Sequence, residues 1–314
     1  MFSCFSGRML KVQIQYSEVL TMATGYVLFN PHAGNRDNTA ENERLATIFS
    51  EPLQFLDITK ISNYKAFFDG IAADDFLIVS GGDGTLNRFA NEIADISFQG
   101  EILYYPLGTG NDFALEMQKT RGCDPFPVTS LLRDLPSVEI NGNSYHFING
   151  IGYGIDGYCC EVGDKMRAEK KQKINYTAIA IKGLLFFYKP TAATVTVDGV
   201  TRTYKKVWIA PTMYGKYYGG GMIPCPSQDR NSEKKTLTAM ILHGSGKLKT
   251  LMVFPSIFKG EHVKHKEMVD VLEGDEIRVE FDRPAPLQID GETILNVTAY
   301  TAKSANLAKK KQNV

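Results

Sequence analysis

The sequence lacks an excess of charge of either sign. Its 35 Lys and Arg residues balance 35 Asp and Glu residues, so the formal net charge over 314 positions is zero. Proteins that bind nucleic acids usually carry a clear basic excess on one face. We therefore predict no nucleic-acid partner, and any attraction to a membrane has to come from a local group of charges.

Cysteine is scarce and unpaired in its spacing. The five residues form no Cys-x-x-Cys pair and are odd in number: Cys4, Cys123, Cys159, Cys160 and Cys225. This argues against a disulfide framework and against a zinc ribbon, and it is typical of a reducing compartment. The pattern predicts a cytoplasmic protein, and the adjacent Cys159 and Cys160 are interpreted as packed thiols.

Long apolar runs are missing as well. The most hydrophobic stretch, residues 176–188, is interrupted by Lys182. It is also shorter than a membrane-spanning helix, which needs about 20 residues. The first 20 residues lack the three regions of a signal peptide. We interpret residues 1–22 as an N-terminal extension.

The first half of the chain alternates between two kinds of pattern. Short apolar runs predict strands at residues 25–29, 54–59, 76–80 and 102–106. Apolar residues at helical spacing lie between them, as at residues 39–49 and 64–72. Strands that are apolar on both faces and separated by helices predict a doubly wound, mostly parallel sheet of the α/β class.

The second half changes to a period of two with hairpin signals. Three turn dipeptides separate alternating segments: Asn141-Gly142, Asp198-Gly199 and Asp290-Gly291. Such dipeptides favour hairpins because both central residues of the tight turn need a positive φ. The pattern predicts an antiparallel β domain, with one helical insertion around residues 164–188.

One glycine loop has the composition of a phosphate-binding site. The strand at 76–80 runs directly into Gly81-Gly82-Asp83-Gly84-Thr85, and a helix follows. Glycines let the backbone approach an anion, and a helix N-terminus offers unpaired N–H groups. Asp83 would repel phosphate, so its carboxylate fits a role through Mg²⁺ or as acceptor of a proton from an attacking hydroxyl. The alternative is a tight strand-to-helix turn in which Asp83 acts as a cap.

Two further polar loops follow predicted strands. Residues 107–112 contain Gly108, Thr109 and Asn111, and residues 30–35 follow the first strand. Capping by Asn111 or Asp112 is the structural alternative for the former. Because ligands bind at the carboxyl ends of strands in such sheets, three polar glycine loops at one edge favour a ligand site.

These residues carry a resemblance to a known family. Three motifs resemble those of the diacylglycerol kinase catalytic family, which includes bacterial lipid kinases and the sphingosine and ceramide kinases: Asn30-Pro31-x-Ala33-Gly34, Gly81 to Asn87, and Pro106 to Ala114. The second motif is shared with NAD kinases, whereas the third is specific to the lipid branch. Downstream, Tyr217 to Met222 and Leu287 to Glu292 are similar to elements of the family's second domain.

The resemblance implies a fold and a division into domains. A nucleotide-binding α/β domain, residues 23–135, would be closed by a β-sandwich domain, residues 136–299, and residues 300–314 would return to the first domain. Residues 234–238 stand where relatives often carry an Asp-Gly-x-Leu-Asp element tied to a structural Mg²⁺, which predicts that this metal site is lost. Metal ligands are otherwise left unassigned.

The resemblance also implies a reaction. The γ-phosphoryl group of ATP would move, with Mg²⁺, to a hydroxyl of diacylglycerol or a related lipid at the membrane surface. Asp83 would orient metal or hydroxyl, and Asp290 and Glu292 are the candidates for the general base. The residues implied to hold the nucleotide are Asn30, Pro31, His32, Ala33, Gly34, Thr59, Gly81, Gly82, Asp83, Gly84, Thr85, Leu86, Asn87, Arg88, Thr109, Asn111 and Asp112.

Alternatives stay open at this point. From the residues alone, Asp290-Gly291-Glu292 is a hairpin turn. A kinase of NAD or another small molecule would use the same glycine loop, and a lipid or nucleotide sensor would explain the missing metal element. A homodimer is also left open.

Three other patterns lie in the second half of the chain. The Gly-x-Gly-x-x-Gly pattern at 152–157 lies in the β-rich half and is interpreted as a bend, and His262 and His265 as solvated. Residues 165–173 hold five basic residues against one acid and precede the apolar stretch at 174–188. This predicts either a membrane-surface contact or an insertion helix packed on the second domain.

Overall fold

A computed structural model describes residues 23–31, 39–169 and 174–307. The strands of the first half form a five-stranded sheet in the order β2-β1-β3-β4-β5. The first four strands are parallel, and the short β5 is antiparallel to β4. The strand bounds are β1 Gly25–Phe29, β2 Leu53–Asp57, β3 Phe76–Gly81, β4 Ile102–Pro106 and β5 Phe126–Pro127.

Helices connect these strands, and the apolar runs are buried on both faces. Val27 and Ile78 pack on one face with Leu45, while Leu28 and Val79 belong to the core cluster on the other face. This explains why the strands have continuous apolar sequences, and the predicted α/β class with a mostly parallel sheet is confirmed. The helix bounds are α1 Thr39–Ile48, α2 Tyr64–Asp69, α3 Asp83–Glu92, α4 Asp112–Glu116 and α5 Thr129–Arg133.

The second half forms a ten-stranded sheet in which every strand pair is antiparallel. Its main path is β13-β12-β11-β8-β14-β15-β6-β7, and β9 joins β14 to β10. The bounds are β6 Ser137–Ile140, β7 Asn143–His146, β8 Gly150–Tyr153, β9 Thr191–Val197, β10 Val200–Val207, β11 Thr212–Met213, β12 Leu237–Leu242, β13 Val269–Gly274, β14 Glu276–Ile289 and β15 Glu292–Lys303. The predicted antiparallel β domain is confirmed.

The three hairpin turns have the backbone that their sequences predict. The first turn residues, Asn141, Asp198 and Asp290, have φ angles of 50°, 47° and 46°. The glycines that follow have φ angles of 81°, 85° and 95°. Two successive positive φ angles match the right-handed twist of the flanking strands, which is why these dipeptides mark hairpins.

The helical insertion begins earlier than the sequence indicated. α6 spans Ile155–Ala168, so its start lies inside the glycine pattern that was interpreted as a bend. Gly154, with φ 98°, joins β8 to this helix, and a Cβ on Gly152 would collide with Asp156 Oδ2. The pattern therefore marks a tight strand-to-helix junction. α7, Tyr176–Lys182, and a wide π-helical turn, Gly183–Phe187, complete the insertion, and α8 spans Lys247–Val253.

Burial and contacts place two further groups of residues. His262 is fully buried and its Nε2 lies 2.8 Å from the Pro224 carbonyl oxygen, so the prediction that it is solvated is wrong. Residues 300–303 complete β15. Ser304 Oγ donates to Asp275 Oδ1, and Asn306 Nδ2 donates to the Lys234 carbonyl oxygen. The segment 300–314 was expected to return to the first domain, but its described part lies in the second sheet domain. Residues 1–22 and 308–314 lie outside the described residues. Among those described, no helix combines the length and the apolar character needed to cross a membrane.

Candidate active site

The glycine loops meet at the carboxyl ends of β1, β3 and β4. The N–H groups of Leu107 and Gly108 donate to the Gly81 carbonyl oxygen at 2.8 and 3.2 Å. A Cβ on Gly108 would lie 2.4 Å from the Gly82 Cα, so only glycine permits this approach of one loop to the other. On the other side, Asn30 Nδ2 donates to Thr85 Oγ1 at 3.1 Å. The loops thus converge as the order of parallel strands requires.

A cleft of about 230 Å³ opens beside these loops. Its walls come from β1, from the turn after β2, from the start of α3 and from β15 of the second domain, and its lining residues are Asn30, Ile58, Thr59, Tyr64, Gly82, Gly84, Thr85, Arg88 and Glu292. Seven of them are residues that the sequence singled out. Ile58 and Tyr64 were missed, because an apolar residue and a tyrosine beside a strand are typical of a core.

One wall of the cleft presents the N-terminus of α3. Gly82 is the residue before the first turn and supplies no side-chain cap to the N–H groups of that turn. Unpaired N–H groups and the positive end of the helix dipole favour an anion at this place. Arg88, exposed on the same helix, adds a positive charge to the wall. This wall has the chemistry of a phosphate-binding surface.

Glu292 faces that wall from the second domain. Its Oε1 lies 3.4 Å from where a Cβ on Gly84 would be. The carboxylate makes no hydrogen bond or ion pair with any residue among those the structure describes, so both of its oxygens remain available as acceptors. A partnerless carboxylate opposite a phosphate-binding wall can accept a proton from a bound hydroxyl.

Asp290, the other candidate for the general base, is placed differently. Its two carboxylate oxygens accept the N–H groups of Ile148, Asn149 and Gly150 at 2.5, 2.8 and 3.0 Å. Burial raises the pKa of Asp290 to about 6, against the lowering by these hydrogen bonds. The carboxylate does not line the cleft and instead fixes the segment between β7 and β8 next to the hairpin that carries Glu292.

Asp83 joins the second glycine loop to the third. Its oxygens accept the N–H groups of Asp112 at 2.7 Å and Phe113 at 3.2 Å, at the start of α4. Burial, and then the negative charge of Asp112, raise the pKa of Asp83 to about 7. The structure thus places Asp83 as a cap, the alternative considered from the sequence, but for a helix that follows a different loop.

Asp112 continues this chain of contacts into the second domain. Its oxygens accept the N–H groups of Gly220 and Gly221 at 2.8 and 2.7 Å. Burial raises the pKa of Asp112. These glycines lie in the loop that resembles the family's second-domain element, so Asp112 holds the two domains together instead of lining the cleft.

The remaining predicted residues lie around the cleft or in its support. Gly81, Leu86 and Asn87 are buried, and Asn91 Nδ2 donates to Asn87 Oδ1. Asn111 adopts a left-handed backbone and donates from Nδ2 to the Gly108 carbonyl oxygen at 2.8 Å. Pro31 and Thr109 are exposed. His32, Ala33 and Gly34 lie outside the described residues.

The acidic residues of this region do not fit a resident metal ion. The carboxylates of Asp83, Asp112 and Asp290 are each held by two or three backbone N–H groups. Within the described ranges, no group of three or more His, Cys, Asp or Glu residues has the arrangement of a metal site. Within residues 234–238, where the resemblance implies that a structural Mg²⁺ site is lost, Lys235 Nζ pairs with Asp134 Oδ2 at 3.0 Å.

A buried ion pair reinforces the junction of the domains. Arg230 pairs with Glu116, the last residue of α4, at 2.6 Å, and both side chains are almost fully buried. The Arg230 guanidinium also lies over the rings of Phe113 and Tyr214, at 4.8 and 5.4 Å from their centroids. Both ends of α4 are thus tied to the second domain, so the loop before it is held at the cleft.

Comparison with known proteins agrees with this geometry. Residues 24–137 match the family model of the diacylglycerol kinase catalytic domain, and residues 149–305 match that of the YegS C-terminal NAD kinase beta sandwich-like domain. A diacylglycerol kinase of Mycobacterium tuberculosis is 26% identical over 201 residues, which are 62% of this chain and 63% of that relative. A diacylglycerol kinase of Bacillus subtilis is 24% identical over 225 residues, which are 69% of this chain and 71% of that relative. The crystal structure of a diacylglycerol kinase from Bacillus anthracis has the same fold, with a TM-score of 0.60 at 20% identity over 90% of this chain and 95% of the other.

Proposed function

Because the chain belongs to the family of the diacylglycerol kinase catalytic domain, we propose that it transfers the γ-phosphoryl group of ATP to the hydroxyl of diacylglycerol or a related lipid. The observation that carries this proposal is the cleft between the domains. One wall offers the N-terminus of α3 and Arg88 for phosphates, and the opposite wall offers the carboxylate of Glu292, which has no hydrogen-bond or ion-pair partner among the described residues.

The roles of the residues follow from their places. The first-turn N–H groups of α3 and the Arg88 guanidinium hold the phosphates, while Ile58 and Tyr64 give an apolar surface for the nucleoside. Glu292 accepts the proton of the lipid hydroxyl as its oxygen attacks the γ-phosphorus. The new P–O bond forms as the bond to the bridging oxygen breaks, and ADP leaves with that electron pair.

Magnesium enters this proposal as part of the substrate. ATP binds as its Mg²⁺ complex, because the carboxylates of Asp83, Asp112 and Asp290 are each held by backbone N–H groups and form no metal site of their own. Mg²⁺ would supply neutralisation of phosphate charge. Catalysis by the chain itself then consists of positioning and of proton transfer.

We further propose that the reaction takes place on the cytoplasmic side of the membrane. ATP is the donor, and the four cysteines among the described residues are free thiols, which suits a reducing compartment. The lipid hydroxyl would have to reach the cleft from the bilayer surface.

The test is an acceptor panel with a matched pair of variants. Purified protein receives γ-labelled ATP with diacylglycerol, phosphatidylglycerol, sphingosine or NAD. Label is expected in a lipid. Glu292→Gln is expected to lower the rate by about 10²- to 10⁴-fold, the usual contribution of a general base, with ATP affinity unchanged. Glu280→Gln, an exposed carboxylate in β14, is the control and should act like wild type.

The outcomes separate the alternatives. Label in NAD alone would overturn the lipid acceptor, and ATP binding without any transfer would point to a sensor. Full activity of Glu292→Gln would remove the proposed base while leaving the acceptor assignment intact.

A further inference from the structure

Four large apolar side chains stand exposed on the second domain. Phe186 and Phe187 are 71% and 65% exposed, and Leu248 and Met252 are 74% and 75% exposed. We call these four residues the apolar patch. Single exposed apolar side chains are ordinary, whereas a group of them on one surface marks an interaction site.

The apolar patch lies on two neighbouring elements, the π-helical turn and α8, which are held by buried residues and by a hydrogen bond between them. Phe186 and Phe187 end the π-helical turn, whose first residues Gly183 and Leu184 are buried. Lys247, the first residue of α8, donates from Nζ to the Leu185 carbonyl oxygen at 2.9 Å and so joins α8 to this turn. Leu248 and Met252 lie four residues apart on α8 and therefore share one face of the helix.

The residues next to the apolar patch are packed in the core, so the exposed side chains belong to an ordered part of the second domain. Leu184 and Tyr188, on either side of the phenylalanines and Leu185, pack into the core of the second domain, together with Val253 after Met252. The Tyr188 N–H also closes the turn on the Gly183 carbonyl oxygen at 2.8 Å. The side chains of the apolar patch are held outward by an ordered base, as a preformed contact surface requires.

The two segments that carry the apolar patch contain basic residues and no acidic ones. Residues 174–189 and 244–260 contain no Asp or Glu, and their basic residues are Lys182, Lys189, Lys247, Lys249 and Lys259. Lys182, Lys189 and Lys259 have no ion-pair partner among the residues that the structure describes, whereas Lys249 pairs with Glu267 at 2.8 Å. A patch of exposed aromatic and aliphatic side chains with lysines around it is complementary to an anionic lipid surface.

The basic run that the sequence singled out is a weaker candidate for such a contact. Of its described members, Lys165 pairs with Glu161 at 2.6 Å and Arg167 with Asp164 at 3.2 Å. The remaining bases, Lys170, Lys171 and Lys173, lie outside the described residues. The lysines that surround the apolar patch are therefore better candidates for a contact with anionic lipid than this basic run.

We infer that the apolar patch docks the protein on an anionic bilayer, with Phe186, Phe187, Leu248 and Met252 inserted among the lipid headgroups. A second copy of the chain fits this surface less well, because a symmetric contact would bring lysines against lysines. Docking does not depend on the proposed reaction, since it requires neither ATP nor the cleft.

The experiment measures sedimentation with vesicles in the absence of nucleotide. Wild type is expected to bind vesicles of phosphatidylcholine with phosphatidylglycerol and to bind pure phosphatidylcholine vesicles much more weakly. Replacing all four patch residues by serine is expected to lower the partition coefficient at least about tenfold, because the apolar insertion is lost. Lys182→Gln with Lys189→Gln should lower it by about fivefold per lysine and reduce its sensitivity to salt.

Matched variants control for general effects of the substitutions. Val200→Ser with Phe55→Ser removes two exposed apolar side chains away from the apolar patch, and Lys60→Gln with Lys65→Gln removes two exposed charges from the first domain. Both should bind vesicles like wild type. Equal near-ultraviolet circular dichroism spectra show that each variant is folded.

Three results would overturn the inference. The first is wild type that stays in the supernatant with anionic vesicles, and the second is a folded four-serine variant that binds as wild type does. The third is a dimer in sedimentation velocity that dissociates in the four-serine variant, which would assign the apolar patch to self-association. Transfer of label to a detergent-dispersed lipid is measured in parallel, so that a failure of docking is distinguished from a failure of the proposed kinase activity.

Discussion

Asp83 shows how a single carboxylate can position one loop of the candidate site against another. It accepts two N–H groups at the start of α4 and so positions the third glycine loop against the second. Because burial raises its pKa to about 7, this cap changes its charge in the physiological range. Only the ionised form offers both oxygens as acceptors, so the loop is held best when Asp83 is charged.

We expect Asp83→Asn to lower the rate of phosphoryl transfer by about ten- to a hundredfold, since the amide nitrogen would face an N–H group and lose about 1–3 kcal/mol there. The wild-type rate should rise with pH through about 7 as Asp83 ionises, and the variant should lose this rise. Rates at saturating ATP across the pH range check both points. Asp75→Asn is the matched control, because Asp75 also accepts two backbone N–H groups but lies away from the cleft. A variant that keeps both the rate and the pH profile would contradict the positioning role.

The sequence predicts some of the residues that line the cleft but not others. Glycines, threonine and polar residues at strand ends are recognisable in the sequence, and three of them, Asn30, Gly82 and Thr85, line the cleft. Ile58 and Tyr64 are not recognisable, because nothing local distinguishes a cleft wall from a core. The carboxylates were harder, since the N–H partners of Asp83, Asp112 and Asp290 come from other loops and are set only by the fold.

Among the elements, α4 is short but contacts the second domain at both of its ends. It has five residues, too few for stability on its own. Its first residue, Asp112, bonds to Gly220 and Gly221, and its last, Glu116, pairs with Arg230. The helix therefore forms where both ends are fixed by the second domain. Sequence periodicity predicted the strands and hairpins well because their signals are local, but such a short helix depends on distant partners.

Arg230→Met is expected to destabilise the protein by about 3–5 kcal/mol, because it leaves the Glu116 carboxylate buried without its counter-charge. Adding Glu116→Gln should restore most of the loss, since the amide carries no charge and can still accept the Lys216 N–H. Urea unfolding of the two single variants and the double variant measures this. Lys235→Met, which breaks the more exposed pair with Asp134, should cost no more than about 1 kcal/mol. Equal losses for Arg230→Met and Lys235→Met would show that burial of the ion pair is unimportant.

For the molecule as a whole, several buried carboxyls give folding a particular dependence on pH. Burial raises the pKa of Asp83 to about 7 and those of Asp156 and Asp290 to about 6, and it also raises the pKa of Asp112. Between about pH 4 and pH 7 the folded chain therefore holds protons that the unfolded chain has released. Stability should fall as pH rises through this window. Carboxylates with lowered pKa, such as Glu267 at about 2, act in the opposite direction, but their effect is complete above about pH 5.

Asp156 allows the effect of carboxyl burial on stability to be measured at a residue that does not line the cleft. Its carboxylate is buried at the start of α6, where Gln288 Nε2 donates to it at 2.9 Å. Asp156→Asn keeps an oxygen for Gln288 and removes the charge that burial penalises. We expect the variant to be more stable than wild type at about pH 8 and similar at about pH 5, where the wild-type residue is protonated. Urea unfolding followed by the fluorescence of the buried Trp208 gives both values. Asp282→Asn is the control of opposite sign, because Thr191 and the Ala192 N–H hold the pKa of Asp282 below its usual value. That variant should lose stability at pH 8, and a loss of the same size for Asp156→Asn would mean that its carboxylate is not penalised by burial.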